Sequence, residues 1–146
     1  QDIEEYVQAA EELDEPYAFA MLDIDHFKKI NDTYGHDGGD KILKSLAKIL
    51  IDNTKGRDVV ARFGGEEFCV VLKKIAKEEA IKFFVNLRAK VAENEVIIKD
   101  KIIRVTVSIG VSFGKGHCEI DDMLEACDSA LYVAKENGRN RVEIAL

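Results

Sequence analysis

What the sequence lacks narrows it first. It has one proline, Pro16, no serine- or glycine-rich stretch, no low-complexity run and no internal repeat, so nothing marks a linker or a domain boundary. No apolar run approaches the ~20 residues that span a bilayer, and the longest covers residues 17–22. The amino terminus, Gln-Asp-Ile-Glu-Glu, carries no signal-peptide pattern. It also has no initiator methionine, which reads as a piece or processed product of something longer. Cysteine is scarce: Cys69, Cys118 and Cys127 are odd in number, widely spaced and without a CxxC. That is the pattern of reduced thiols in a cytoplasmic protein, not of a disulfide framework or a zinc site. Basic residues are outnumbered, 21 Lys and Arg against 28 Asp and Glu, for a formal charge of −7. A protein that coats nucleic acid wants a basic face, so that class recedes, and an anionic ligand needs local cations or metal ions to offset repulsion.

What is present suffices for one core. At 146 residues, 47% hydrophobic and 34% charged, the chain reads as a single domain over 1–146. Ile3, Val7, Ala10 and Leu13 fall at helical spacing. Residues 17–24 form a short, partly aromatic apolar run, the signature of a buried strand, which ends abruptly in Asp23-Ile24-Asp25. Residues 26–30 suggest a helical turn and 31–35 a loop; from Gly38, Ile42, Leu46, Ile49 and Leu50 predict an amphipathic helix. Two strand-like runs, 58–63 and 67–72, flank Gly64-Gly65, which predicts a two-residue hairpin turn with both glycines at φ > 0. A helix through Ala80, Phe84, Leu87 and Val91 follows, then a small hairpin about residues 99–101. Val105, Val107, Ile109, Val111 and Phe113 alternate with polar or small residues, a period of two. A last helix runs through Met123, Cys127, Leu131 and Ala134 to Gly138, and residues 142–145 suggest a final strand. This mixture predicts an α+β domain around a mainly antiparallel sheet.

Three groups of residues could do chemistry. Asp23 and Asp25 end an apolar strand, where a carboxylate is expensive unless paired or bound to a cation. With Glu66 and Glu67 they would offer the hard oxygens that suit Mg²⁺; alternatively Asp25 caps the next helical turn and the glutamates are solvated. Asn31, His36 and Asp40 can hydrogen-bond a base edge, although Asp37 and Asp40 equally suit the start of a helix. Lys135 and Arg139 flank Gly138, either as cations at a helix C-terminus or as phosphate ligands.

In order and spacing these blocks resemble the GGDEF family of diguanylate cyclases. The resemblance runs over nearly the whole chain: Asp23 to Lys28, Asn31-Asp32, Gly35-His36, Gly39-Asp40, Arg62 to Phe68, Val107 to Val111, Ala130-Leu131-Tyr132, Lys135 and Gly138-Arg139-Asn140. Gly64 to Phe68 reads GGEEF, a variant of the signature. The resemblance implies a five-stranded, mainly antiparallel central sheet surrounded by helices, similar to nucleotide cyclase and polymerase palm domains. It implies a homodimer in which each subunit holds one GTP and the two are joined into cyclic di-GMP with release of two pyrophosphates. It implies Mg²⁺, with Mn²⁺ as a substitute, held by the carboxylates of Asp23 and Glu66 and the carbonyl of Ile24, with Glu67 toward a second metal. Glu66 would also take the 3′-hydroxyl proton. Asn31 and Asp40 would read guanine, His36 would line the pocket, and the N–H groups of His26 and Phe27 with Lys135 and Arg139 would hold the terminal phosphates. Asp at position 40, where a branch making mixed purine dinucleotides carries Ser, implies strict GTP use. The family's inhibitory RxxD motif is Lys55-Gly56-Arg57-Asp58 here; lysine lacks arginine's planar fork, so the site reads as degenerate, with Arg57 as a partial stand-in. The family's DxLTGLxNR opening and an N-terminal sensor or receiver domain are expected to precede this chain. The rival readings are an inactive GGDEF-like module that binds GTP or cyclic di-GMP as a receptor, and a palm-like nucleotidyl transferase of another kind.

Overall fold

A computed structural model of the chain describes residues 15–54, 58–114 and 120–145. The first expected helix, His117, Cys118 and three of the four residues of the RxxD-like motif lie outside them. Strand β1, Tyr17–Ile24, is buried along its whole length. Alternation splits its side chains between two cores. Ala18, Ala20, Leu22 and Ile24 face one apolar cluster, and Tyr17, Phe19 and Met21 face another. Each face is then covered by helices.

Helix α1, Phe27–Asn53, and helix α2, Lys77–Glu93, cover the first face with Ile42, Leu46 and Leu50 and with Ala80, Phe84 and Leu87. Helix α3, Ile120–Glu136, covers the second with Met123, Cys127 and Leu131. The remaining strands are β2, Val59–Arg62; β3, Glu67–Lys73; β4, Val96–Ile98; β5, Lys101–Ile103; β6, Val107–Gly114; and β7, Val142–Ile144. Five of them make the sheet β2-β3-β1-β6-β7, in which β1 pairs antiparallel with both neighbours and β7 joins β6 in parallel. The α+β, mainly antiparallel expectation holds. Strands β4 and β5 form a separate ribbon whose turn residues, Lys99 and Asp100, both have positive φ, as a type I′ turn requires.

Gly110 sets the distance between sheet and helix. A Cβ there would lie 2.3 Å from the Cys127 carbonyl oxygen and 2.5 Å from the Leu131 nitrogen, both backbone atoms of α3. Cys69 and Cys127 are free and buried, and burial pushes both thiols up, that of Cys127 to about 11. Among the described residues, no helix is long and apolar enough to cross a membrane.

Two local expectations need correction. Residues 31–35 are not a loop: α1 runs through them and leaves helical geometry only at Gly35 (φ 74°, ψ 176°). A single glycine at positive φ makes the break, and Phe27 and Ile30 bury on the core ahead of it. The Gly64-Gly65 turn is not a two-residue one either. Neither glycine has positive φ, and the loop 64–66 is closed by the Phe63 N–H donating 2.8 Å to the Glu67 carbonyl.

Candidate active site

Pairing of β1 with β3 opposes Asp23 to Glu67 at the end of the sheet. Beside them the Ile24 N–H donates to the Glu66 carbonyl, 3.4 Å away. The carboxylates expected to meet from distant parts of the chain therefore stand together. Lys135, in the last turn of α3, donates to Asp23 Oδ2 across 2.5 Å. The electrostatics record the crowding. Burial pushes the Glu66 carboxyl above its ordinary range, the charge of Asp23 adds to this, Lys135 opposes it and Glu67 adds last. Glu67 is also raised, by burial first, then by Asp23 and Asp128, again with Lys135 opposing.

Like charges packed this way are what a divalent cation relieves. Among the described residues no group of three or more His, Cys, Asp or Glu forms a ready metal cage. Mg²⁺ asks for less, since it is commonly held by one or two carboxylates, with substrate phosphates and water completing the shell. The hard oxygens of Asp23, Glu66 and the Ile24 carbonyl fit such an ion.

Asp25 differs from Asp23. It neither caps α1, whose N-cap His26 makes no side-chain cap bond, nor joins the Glu66 cluster. Its buried carboxylate accepts from Ser108 Oγ at 2.7 Å on Oδ1, and from Thr106 Oγ1 at 2.6 Å and the Asn140 N–H at 3.0 Å on Oδ2. The second aspartate is thus fully engaged with β6 and the turn after α3.

That turn is a Schellman motif: the Arg139 N–H donates 2.9 Å to the Ala134 carbonyl and the Gly138 N–H 3.4 Å to that of Lys135. Gly138 (φ 116°), Arg139 (φ 63°) and Asn140 (φ 48°) all have positive φ. For Arg139, with its Cβ, this costs roughly 1–2 kcal/mol. Asn140 Oδ1 in turn accepts 2.8 Å from Arg88 Nη1 on α2.

The other expected site residues lie on α1 and the residue before it. His26 is exposed, in left-handed geometry, and Phe27 begins α1, where first-turn N–H groups have no intrahelical acceptor. Asn31 lies against Gly39, where a Cβ would fall 1.9 Å from Asn31 Oδ1, so the amide reaches across the break at Gly35 to the neighbour of Asp40. His36 and Asp40 are exposed just beyond the break, and Asp37 sits in the turn that follows it. Lys55 and Arg57 lie outside the described residues; Asp58 Oδ1 accepts 3.4 Å from the Lys73 N–H, ahead of β2.

Some contributors escaped the sequence reading. Arg62 clasps the glycine turn, with Nε 3.2 Å from the Gly64 carbonyl and Nη2 2.6 Å from that of Gly65. An arginine two residues ahead of paired glycines was the available signal. Asp128, whose charge from α3 adds to the rise of Glu67, had none.

Comparison with known proteins agrees with this geometry. Residues 1–141 match the family model "Diguanylate cyclase, GGDEF domain". Diguanylate cyclase A of Treponema denticola is 41% identical over 140 residues, 95% of this chain and 38% of that protein. Diguanylate cyclase DosC of Escherichia coli K12 is 36% identical over 130 residues, 88% of this chain and 28% of that protein. The chain therefore spans well under half the length of these relatives. Among solved structures, the GGDEF domain of DgcB from Caulobacter crescentus in complex with c-di-GMP superposes with a TM-score of 0.90 at 32% identity, covering 97% of this chain and 84% of that one. The active GGEEF domain of a diguanylate cyclase from Vibrio cholerae gives 0.87 at 36%, covering 97% and 90%. With its signature turn beside Asp23 on the central sheet, as the topology demands, the chain belongs to the GGDEF-domain family of diguanylate cyclases.

Proposed function

We propose that this chain is one catalytic domain, 1–146, of a longer cytoplasmic protein, that it condenses two GTP into cyclic di-GMP and two pyrophosphates, and that it acts as a homodimer. The observation that carries the reading is the meeting of Asp23 with Glu66 and Glu67, under the ammonium of Lys135. Asp23, Glu66 and the Ile24 carbonyl would hold a divalent cation, Mg²⁺ or Mn²⁺, with Glu67 toward a second; when bound it supplies charge neutralisation for the triphosphate. Glu66, its carboxyl raised by burial and by Asp23, is suited to accept the proton of the 3′-hydroxyl as that oxygen attacks the α-phosphorus. The electron pair of the breaking P–O bond leaves with pyrophosphate. Asn31 and Asp40 hold the guanine edge, with His36 beside them. The N–H groups of His26 and Phe27, with Lys135 and Arg139, take the terminal phosphates. Gly64 and Gly65 let backbone approach the phosphates closely, since a Cβ at Gly65 would meet nothing within 4 Å.

Each subunit contributes one GTP, so an N-terminal sensor or receiver domain that brings two copies together would control turnover. The degenerate motif 55–58 makes product inhibition there weak. The test is to incubate the domain, fused to a constitutive dimeriser, with GTP and Mg²⁺ and to identify the product by mass spectrometry. Cyclic di-GMP is expected from the parent and none from Glu66→Gln; full turnover by that variant, or no product from the parent, overturns the reading.

A further inference from the structure

Asp25 is buried and accepts three hydrogen bonds, from Thr106, Ser108 and the Asn140 N–H. None of these groups is needed to neutralise a phosphate or bind a metal, and a carboxylate so placed costs much unless its bonds serve the fold or the site. The asymmetry among its partners is informative. Ser108 is on β6, where register with β1 already holds the chain, and Thr106 directly precedes β6, tied by the Asp25 N–H donating 2.9 Å to its carbonyl. Asn140 comes from a turn of three successive positive-φ residues that meets the sheet only at Arg141, whose carbonyl accepts 2.9 Å from the Ile109 N–H. A run of this kind persists only where the surroundings over-determine it.

Beyond the Ile109–Arg141 bond that closes its far end, three restraints act on that turn. The Schellman bonds fix its start. The Asp25 carboxylate holds the Asn140 N–H from the sheet side, and Arg88 holds the Asn140 side chain from α2. Arg139 stands in the chain between the Schellman start and Asn140. Asp23 at the end of β1 holds Lys135, and Asp25 just past that end holds Asn140, so the last turn of α3 and the turn after it are pinned by two carboxylates two residues apart.

We infer that Asp25 is a positioning residue for phosphate binding: by holding the Asn140 N–H it fixes the left-handed turn that presents Arg139 to the triphosphate. This rests on the reading of Arg139 as a phosphate ligand. It makes the two aspartates of the Asp-Ile-Asp run divide the labour, Asp23 facing the cation site and Asp25 setting the anion-binding arm.

The test separates phosphate affinity from base affinity in the full-length protein. Calorimetric titration with Mg²⁺ compares a GTP analogue, with methylene for the α–β bridging oxygen, against GMP. Asp25→Asn keeps the volume but removes the charge and replaces one acceptor by a donor. It is expected to lower the analogue-to-GMP affinity ratio about tenfold, the order of one charge-assisted hydrogen bond, with GMP binding unchanged. Arg139→Ala is expected to lower the same ratio, and Asp25→Asn added to it to lower the ratio no further. A ratio that falls in Arg139→Ala but not in Asp25→Asn overturns the positioning role alone. A ratio unmoved in both overturns the reading of Arg139 and this inference with it. Additive losses, or equal losses for GMP and the analogue, also overturn it. Should Asp25→Asn fail to fold, Thr106→Val decides: it keeps the side-chain shape but removes the hydroxyl that shares Asp25 Oδ2 with the Asn140 N–H and holds that oxygen in place, and a fall of about threefold supports the role while an unchanged ratio refutes it.

Discussion

Replacing Gly110 by alanine tests how closely sheet and helix are matched and whether that match serves catalysis. The new methyl would sit 2.3 Å from the Cys127 oxygen, 2.5 Å from the Leu131 nitrogen and 3.0 Å from the Leu131 Cα. These atoms belong to the helix backbone and cannot rotate aside. To reach ordinary contact at 3.4 Å, α3 and β6 must part by about 1 Å. Overpacking by one carbon costs about 1–3 kcal/mol, and a clash with three atoms of the α3 backbone belongs at the upper end. For a domain of this size each kcal/mol lowers Tm by about 2–4 °C, so scanning calorimetry should show a fall of about 10 °C. Turnover should suffer more than stability. The same helix carries Lys135 and leads into Arg139, and a 1 Å misplacement of an orienting group costs roughly 100-fold. Gly65→Ala is the control for stability, because its Cβ meets nothing within 4 Å and its φ is not positive. A Gly110→Ala protein that melts within about 2 °C of the parent and keeps full turnover would refute the reasoning.

Three further outcomes are expected. Because the folded state holds the Glu66 carboxyl above its ordinary 4.5, the stabilising protonated form is fully present below that value and is lost as pH rises through the folded one. Glu66→Gln cannot ionise, so in chelator at pH 7 it should melt above the parent, and the gap should close as pH falls below 4.5; a lower melting point at pH 7 contradicts this. Arg62→Ala should cost less than about 1 kcal/mol in denaturant unfolding, since its bonds are exposed, yet lower kcat several-fold by freeing the Gly64-Gly65 carbonyls; unchanged kcat would show the clasp to be idle. Lys55→Arg should tighten cyclic di-GMP binding in a calorimetric titration by restoring the fork, and no change would mean that the guanidinium was not the missing element.

Elements with a strong period were readable from the residues. The apolar run 17–24 is a buried central strand, because burial on both faces leaves a direct imprint on sequence, and the alternation through Val107 to Phe113 is β6, although its polar and small positions Ser108, Gly110 and Ser112 are buried too. Asn31, Asp32 and Thr33 have poor helix propensity, and ahead of Gly35 they read as a loop. Phe27 and Ile30, anchored in the core, overrode that local preference. The glycine pair misled differently, because side-chain bonds from Arg62 shaped a turn that glycine alone leaves open. At the site, the carboxylate types and Lys135 were legible while the work of Asp25 was not. Its donors lie 81, 83 and 115 residues away, and periodicity carries no information on such pairings.

The place of the carboxylates in the sheet has a kinetic consequence. Asp23 stands on β1, hydrogen-bonded along both edges and covered on both faces, so its amides should exchange only when the whole domain opens. Glu66 hangs from a turn whose outer strand, β2, is four residues long and lies at the edge of the sheet. One carboxylate thus belongs to the slowest-breathing part of the molecule and the other to a margin that frays early, and whatever bridges them lends the margin the permanence of the centre.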